Sequence, residues 1–264
     1  MKDRPLDASV EVIDCGRGVR QLLFREPKNR LNGALRGQLQ HALDNATALP
    51  EVRAIVIGTT GKHFSVGGDV NAMQNLTDAS VSYKYAYMSE VNRLAESLGR
   101  CRKPLVAAIS GACYGAGAGV ALLCDTIVIG RSTEIGFPFL RTGLVPDFGI
   151  SYTLKRRIGE RAARQLLLYA KVVSAPEAIA LGLADESVED SEVIPRAIEL
   201  ANRLADMPAE ALGLVKEMLR ADPTSLEAAL REEAMTQSHC LGSNDMREGV
   251  AAFLEKRSPI FNAN

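Results

Sequence analysis

Apolar positions change their period along the chain, and the change marks two regions. Val10 and Val12, then Val19, Leu22 and Phe24, form two β-rich runs. Asp14-Cys15-Gly16-Arg17-Gly18 between them predicts a hairpin turn. Leu35, Leu39, Ala42 and Leu43 then recur at helical spacing over 35–49. Ala54-Ile55-Val56-Ile57-Gly58 is continuously apolar, as a strand covered on both faces would be. A helix is predicted over 79–98, a strand over 105–109, a short helix ending near Leu123 and a strand over 126–129. Strands alternating with helices predict an α/β layered fold.

Beyond about residue 150 the pattern predicts helix after helix. Ser174-Ala175-Pro176-Glu177 reads as a capping box, with serine at the N-cap and glutamate three residues on. Helical periodicity continues over 193–204, 209–219, 226–235 and 246–253. The expectation is a core over 1–200 and a helical region over 201–264, packed on the core or on a neighbouring subunit. One stretch tests for a membrane. From Leu105 to Cys124 the chain carries no charge for 20 residues, with Gly111, Gly115 and Gly119 at four-residue spacing. The flexible cluster Gly115–Gly119 inside it and the strand-like run before it argue for buried strand and loop, so no membrane is expected.

Composition narrows the function. Of 264 residues, 47% are hydrophobic and 24% charged, an ordinary globular balance. With 31 basic and 32 acidic residues the net charge is −1, so no global positive field exists to hold nucleic acid. Five cysteines without a C-x-x-C pair, and an opening MKDRPLDASV without signal-peptide features, predict reduced thiols and a cytoplasmic protein. His41, His63 and His239 are scattered, so no metal site is expected.

Two glycine-rich stretches follow predicted strands: Gly61-Lys62-His63-Phe64-Ser65-Val66-Gly67-Gly68-Asp69-Val70, and Ser110-Gly111-Ala112-Cys113-Tyr114-Gly115-Ala116-Gly117-Ala118-Gly119. Glycines there permit tight packing, or let backbone amides approach a ligand. The second loosely follows a dinucleotide fingerprint, but Asp125 comes too early to serve as the ribose carboxylate.

The two stretches together, with the following Leu122-Leu123-Cys124-Asp125, resemble the crotonase (enoyl-CoA hydratase/isomerase) superfamily. Arg30-Leu31-Asn32, Gly143-Leu144-Val145-Pro146-Asp147, Ser174–Ala178 and the tail from Arg247 to Pro259 match it as well. The resemblance implies a spiral of ββα units, a helical C-terminal trimerisation region, a homotrimer or a dimer of trimers, and an acyl-CoA thioester as substrate. Coenzyme A would enter as part of that substrate, with no separate cofactor. It also implies that the backbone N–H groups of Gly68 and Ala116 form the oxyanion hole, and that coenzyme A lies along Lys62 to Asn71. Val66 and Gly68 would be closest, with Asp69 and Val70 in the same loop. Lys28 and Arg30 are candidate phosphate partners, and Phe253 and Lys256 would come from the tail, of the same or an adjacent subunit.

Hydratases of this superfamily use two glutamates, and the corresponding positions here are Gly119 and Phe139. Neither can move a proton, so hydration is disfavoured. Asp147 remains. Isomerases of the phenylacetate-degradation branch carry an aspartate in a similar sequence, and the tail resembles that branch too. Phe137, Phe139, Leu144 and Phe148 would give Asp147 an apolar setting that raises its pKa. The competing reading makes Asp147 a cap for a helix starting near Gly149. Asp69 is expected to hydrogen-bond its loop, Asp125 to anchor the next strand, and His63 to be solvated. Tyr83 and Tyr87 share a helix face and line either the acyl pocket or the core. Arg141 binds an acidic or polar acyl group or sits on the surface.

The resulting expectation is an acyl-CoA isomerase. It would shift a double bond, or open a ring epoxide, through a stabilised enolate with Asp147 as the single acid/base. The alternatives are an acyl-CoA hydrolase, decarboxylase or dehalogenase of the same superfamily, or a catalytically silent CoA-binding subunit.

Overall fold

The computed structural model describes residues 9–261. The stretch from which the leader was judged lies mostly outside them. The hairpin is present: β1 (Val10–Asp14) and β2 (Val19–Phe24) pair antiparallel, with Val10 opposite Phe24. Next come α1 (Gly33–Ala48), β3 (Ala54–Thr59), a short α2 (Val70–Gln74), α3 (Val81–Arg100) and β4 (Leu105–Ile109). β5 (Ala112–Tyr114), α4 (Ala116–Leu122), β6 (Thr126–Gly130) and β7 (Glu134–Gly136) follow, then α5 (Ile150–Leu168), β8 (Val172–Ser174), α6 (Ala175–Ala180) and β9 (Glu186–Val188). The chain closes with α7 (Val193–Ala205), α8 (Ala209–Ala221), α9 (Leu226–Leu241) and α10 (Asn244–Glu255).

The larger sheet has the order β1-β2-β3-β4-β6-β9, and every pair after β1–β2 is parallel. The smaller sheet has the order β5-β7-β8. Along the chain β4 joins the large sheet, β5 the small one, and α4 follows; β6, β7 and α5 repeat the sequence. This is the ββα spiral, an α/β fold with helices gathered towards the C-terminus.

Both faces of the large sheet are covered, which explains the unbroken apolar runs. Ile55, Ile57, Leu105, Ala107, Ile109, Ile127 and Ile129 join the main core with α1 and α4. The alternate residues Ala54, Val56, Val106, Ala108 and Val128 face α7, which meets them with Val193, Ala197, Ala201 and Ala205. That four-residue spacing of mostly alanine lets the helix lie close on the sheet. α7 spans residue 200 and packs along its whole length.

Three features differ from the sequence expectation. β8 and β9 lie where only helices were predicted; three-residue strands are too short to display a period of two. α9 runs to Leu241, beyond the predicted 235. Asp125 anchors the earlier strand β4 rather than the next strand: its Oδ2 accepts from Leu105 N at 2.7 Å and from Lys216 Nζ at 2.6 Å. The capping box stands as predicted, with Ser174 N donating to Glu177 at 2.8 Å. The uncharged stretch 105–124 is divided among β4, β5 and α4, and no helix of the described residues is long and apolar enough to cross a membrane.

Candidate active site

Parallel strands place their C-terminal ends side by side, and the loops leaving β3 and β4 are the two glycine-rich stretches. They zip together. Phe64 N donates to Ser110 O at 2.8 Å, Ser65 N to Ala112 O at 3.0 Å, and Tyr114 N to Ser65 O at 2.9 Å. His63 is half-buried rather than solvated, and its Nδ1 accepts from Ala112 N at 3.1 Å. On the other side the first loop is held by the segment before α1. Val66 N donates to Lys28 O at 3.0 Å and Leu31 N to Gly67 O at 2.9 Å. A buried network completes the clamp. Asn29 Nδ2 donates to Thr59 Oγ1 and His63 O, Ser65 Oγ donates to Asn29 O at 2.6 Å, and Gly67 N donates to Ser65 Oγ at 3.1 Å.

The backbone must turn sharply at two glycines. Gly67 has φ +94°, and a side chain there would meet the Tyr114 carbonyl oxygen at 3.0 Å. Gly115, at φ +52°, precedes the fully buried helix α4. These turns pack the backbone of Gly67 against that of Gly115, where a Cβ on Gly67 would stand 3.8 Å from Gly115 Cα, and Gly68 and Ala116 follow next in each loop. Neither backbone N–H has an acceptor among the described residues. Ala116 is the first residue of α4, so its N–H belongs to the unpaired helix start and shares the positive end of the helix dipole. The pair is equipped to bind an oxyanion.

Gly117 and Gly119 are dictated by space. A Cβ on Gly117 would stand 2.6 Å from Ser65 Cβ, and one on Gly119 would stand 2.4 Å from Phe148 Cβ. Phe139, buried, lies over Gly115, with its Cζ 3.7 Å from where a Cβ would be. Both positions at which hydratases place glutamate are therefore occupied by packed hydrocarbon.

Asp147 sits in the turn between the 3-10 segment Pro138–Thr142 and α5, beside the buried Phe148. It does not cap α5. The N-cap is Gly149, with no side-chain cap bond, and Asp147 contributes only its backbone oxygen, accepting from Ile150 N. Its Oδ1 is buried without a hydrogen-bond partner. Burial pushes the carboxyl up from its ordinary 3.8 to about 6, against weaker lowering by a local backbone hydrogen bond and the Arg36 guanidinium. Phe137 and Phe139 are buried, whereas Leu144 is exposed and does not enclose the carboxyl.

These loops and this carboxyl occur along a chain whose whole length matches known proteins. A profile of the enoyl-CoA hydratase/isomerase family matches residues 14–264. The chain belongs to that family. A relative from Thermus thermophilus is 35% identical over 237 residues, 89% of this chain and 93% of its own. The crotonyl-CoA hydratase of Syntrophomonas wolfei is 32% identical over 244 residues, covering 91% and 93%. The crystal structure of an enoyl-CoA hydratase from Polaromonas sp. JS666 superposes with a TM-score of 0.91 at 27% identity, covering 97% of this chain and all of that one. Enzymes of this family act on CoA thioesters.

Among the other residues singled out, Lys28, Arg30, Lys62, Val66, Asp69, Val70 and Asn71 are gathered around the first loop. Asp69 accepts from Asn71 N at 3.1 Å and caps α2. Lys28, Lys62, Val70 and Asn71 are exposed, Arg30 and Val66 half-buried. Phe253 and Lys256 are not brought to this group within one chain. They lead into Ser258–Phe261, which lies beside Arg17 and Arg53 at the opposite end of the strands. Of the tyrosines, Tyr83 and Tyr85 are exposed and only Tyr87 packs against the core. Arg141 is exposed.

Among the described residues no group of three His, Cys, Asp or Glu side chains could hold a metal ion. Cys101, Cys113 and Cys124 are buried free thiols whose pKa values burial pushes upward, away from the reactive thiolate. Sequence reasoning missed Arg36. Its position three residues before Leu39 and seven before Leu43 puts it at the edge of the apolar face of α1, which is the signal that could have found it.

Proposed function

We propose that this family member is an acyl-CoA isomerase in which Asp147 is the single acid/base. The observation that carries this reading is Asp147 itself: a carboxyl in apolar surroundings, poised at about 6, with Oδ1 unpartnered. A base of that strength suits proton transfer near neutral pH. The thioester oxygen would lie on the N–H groups of Gly68 and Ala116, which have no other acceptor among the described residues. Asp147 would remove a proton from carbon α or γ, placing negative charge on that oxygen. Each pre-aimed donor stabilises such charge by about 3 kcal/mol. Asp147 would then return the proton to the other carbon, shifting the double bond without water.

The related hydratases keep the names of a different reaction, and the two steric blocks at residues 119 and 139 favour isomerisation here. The sequence around Gly143–Asp147 further suggests the phenylacetate-degradation branch, where the same parts would open a ring epoxide. Coenzyme A is assigned to the loop from Lys62 to Asn71, with Lys28 and Arg30 at its phosphates. Phe253 and Lys256 would serve from an adjacent subunit, because their own chain holds them away. The region after residue 200 would form the oligomer contact, in keeping with Leu226, Met235, Phe253 and Leu254, each at least 74% exposed on α9 and α10.

The test is exchange of acyl α- and γ-protons with deuterated water, using a panel of enoyl- and phenylacetyl-type CoA thioesters. Exchange or double-bond migration that Asp147→Asn abolishes is the expected result. Activity that survives this substitution would remove Asp147 from the mechanism, and release of free CoA would point to hydrolysis instead.

A further inference from the structure

Arg36 stands near the start of α1, and only 7% of it is exposed. Its Nη1 donates to Leu31 O at 2.7 Å and to Tyr87 Oη at 3.3 Å. The guanidinium also lies over the Tyr87 ring, 5.0 Å from its centroid. These contacts fix the plane of the group while engaging one of its three nitrogens. Nε and Nη2 donate to nothing among the described residues, and no carboxylate of those residues forms an ion pair with Arg36. Removing a cation from water costs several kcal/mol unless a counter-ion compensates it. Arg196, which is less buried, shows the usual solution: Nε and Nη2 clasp Glu186 at 2.6 and 2.9 Å. Arg36 presents the same two-nitrogen edge with nothing on it.

Its surroundings say what would fill that edge. Asp147 is near enough to feel the guanidinium charge, yet the two do not touch. The site therefore holds two groups with unused capacity, the Oδ1 acceptor of Asp147 and the Nε/Nη2 fork of Arg36. On the proposed reading, the thioester oxygen is at Gly68 and Ala116, and the reacting carbons are at Asp147. Arg36 is tied to that site through Leu31, whose O it holds and whose N–H donates to Gly67 O, so an acyl chain extending from Asp147 to this side would meet the guanidinium.

We propose that the Nε/Nη2 edge of Arg36 binds a carboxylate at the far end of the acyl chain, so that the substrates are ω-carboxyacyl-CoA thioesters. This rests on the acyl site being at Asp147. A guanidinium edge held flat in a largely buried residue matches a carboxylate with two parallel hydrogen bonds, and the ligand supplies the missing counter-charge. A plain alkyl chain would leave the cation buried and unpaired.

The experiment is calorimetric titration of the wild-type protein with the non-reacting thioesters glutaryl-CoA and adipyl-CoA, beside valeryl-CoA and hexanoyl-CoA. The carboxyacyl ligands are expected to bind on the order of 10–100-fold tighter, the range for a hydrogen bond to a charged group. Arg36→Met is expected to erase the ratio. Arg36→Lys, which keeps the charge but loses the fork, is expected to retain only part of it. Equal affinities in the wild type, or a ratio that persists in Arg36→Met, overturn the proposal while alkyl-thioester binding leaves the acyl-site reading standing. Failure of all four ligands to bind overturns both. Should Arg36→Met not fold, the wild-type ratio and Arg36→Lys decide.

Discussion

Phe148 Cβ occupies the ground that a side chain at Gly119 would need, the two being 2.4 Å apart if residue 119 carried a Cβ. Phe148 is fully buried and adjoins Asp147, so one residue both closes the hydratase position and walls the remaining carboxyl. Gly119→Ala is expected to destabilise the protein by about 1–3 kcal/mol through overpacking. Gly119→Glu should fail to confer hydration. Denaturant unfolding and a crotonyl-CoA hydration assay check the two outcomes.

Asp147 gives a pH dependence of activity and, with opposite sign, of stability. The proposed mechanism uses Asp147 as a base, which must be ionised, so kcat/KM should rise with pH and level off above about 6. Asp147→Asn should lose on the order of 10²–10⁴-fold in exchange rate.

For stability, the folded carboxyl keeps its proton up to about pH 6, whereas the unfolded one releases it near 3.8. Between those values the folded state binds more protons, so this group's contribution falls as pH rises and stays low above the window. At pH 7.5 the burden on the wild type is about 3 kcal/mol at most. Asp147→Asn should therefore gain stability relative to wild type as pH is raised from 4 to 7.5. Urea midpoints at the two pH values measure it.

Ser65 ties the first loop to the segment before α1 through a single hydroxyl, donating to Asn29 O and accepting from Gly67 N. Ser65→Ala leaves both buried groups unpaired and should cost about 1–3 kcal/mol. Because Gly67 precedes Gly68, the proposed oxyanion donor, kcat should fall by roughly tenfold or more as that N–H drifts from position. Parallel measurement of Tm and kcat separates this from simple unfolding.

The proposed oligomer would cover the exposed apolar side chains of α9 and α10. Met235→Asp together with Phe253→Asp should shift the protein to a smaller species in sedimentation velocity. The same hydrodynamic mass in wild type and variant would mean that these residues do not hold an oligomer together.

Much was legible from local pattern because it depends on neighbours in sequence. The apolar runs at β3, β4 and β6, the Asp14–Gly18 turn and the Ser174–Glu177 capping box are written in residues a few positions apart. So were the two glycine loops and Asp147, whose motifs are contiguous. What local pattern could not supply was direction and vacancy. Asp69, Asp125, Asp147 and His63 are all polar residues near the loops. Only the folded chain distributes them: Asp69 to cap α2, Asp125 to anchor β4, His63 to tie the loops, and Asp147 to face the site with a free oxygen. β8 and β9 are three residues each and exist through partners far along the chain. Thus the amino-acid sequence alone determined the α/β layering, the family and the chemical parts. Tertiary structure alone decided that residue 119 has no room for a glutamate, that Asp147 does not cap α5, and that Arg36 is buried without a counter-ion. The physical reason is that periodicity encodes which face of an element is apolar, whereas excluded volume and charge pairing arise between elements that only the fold brings together.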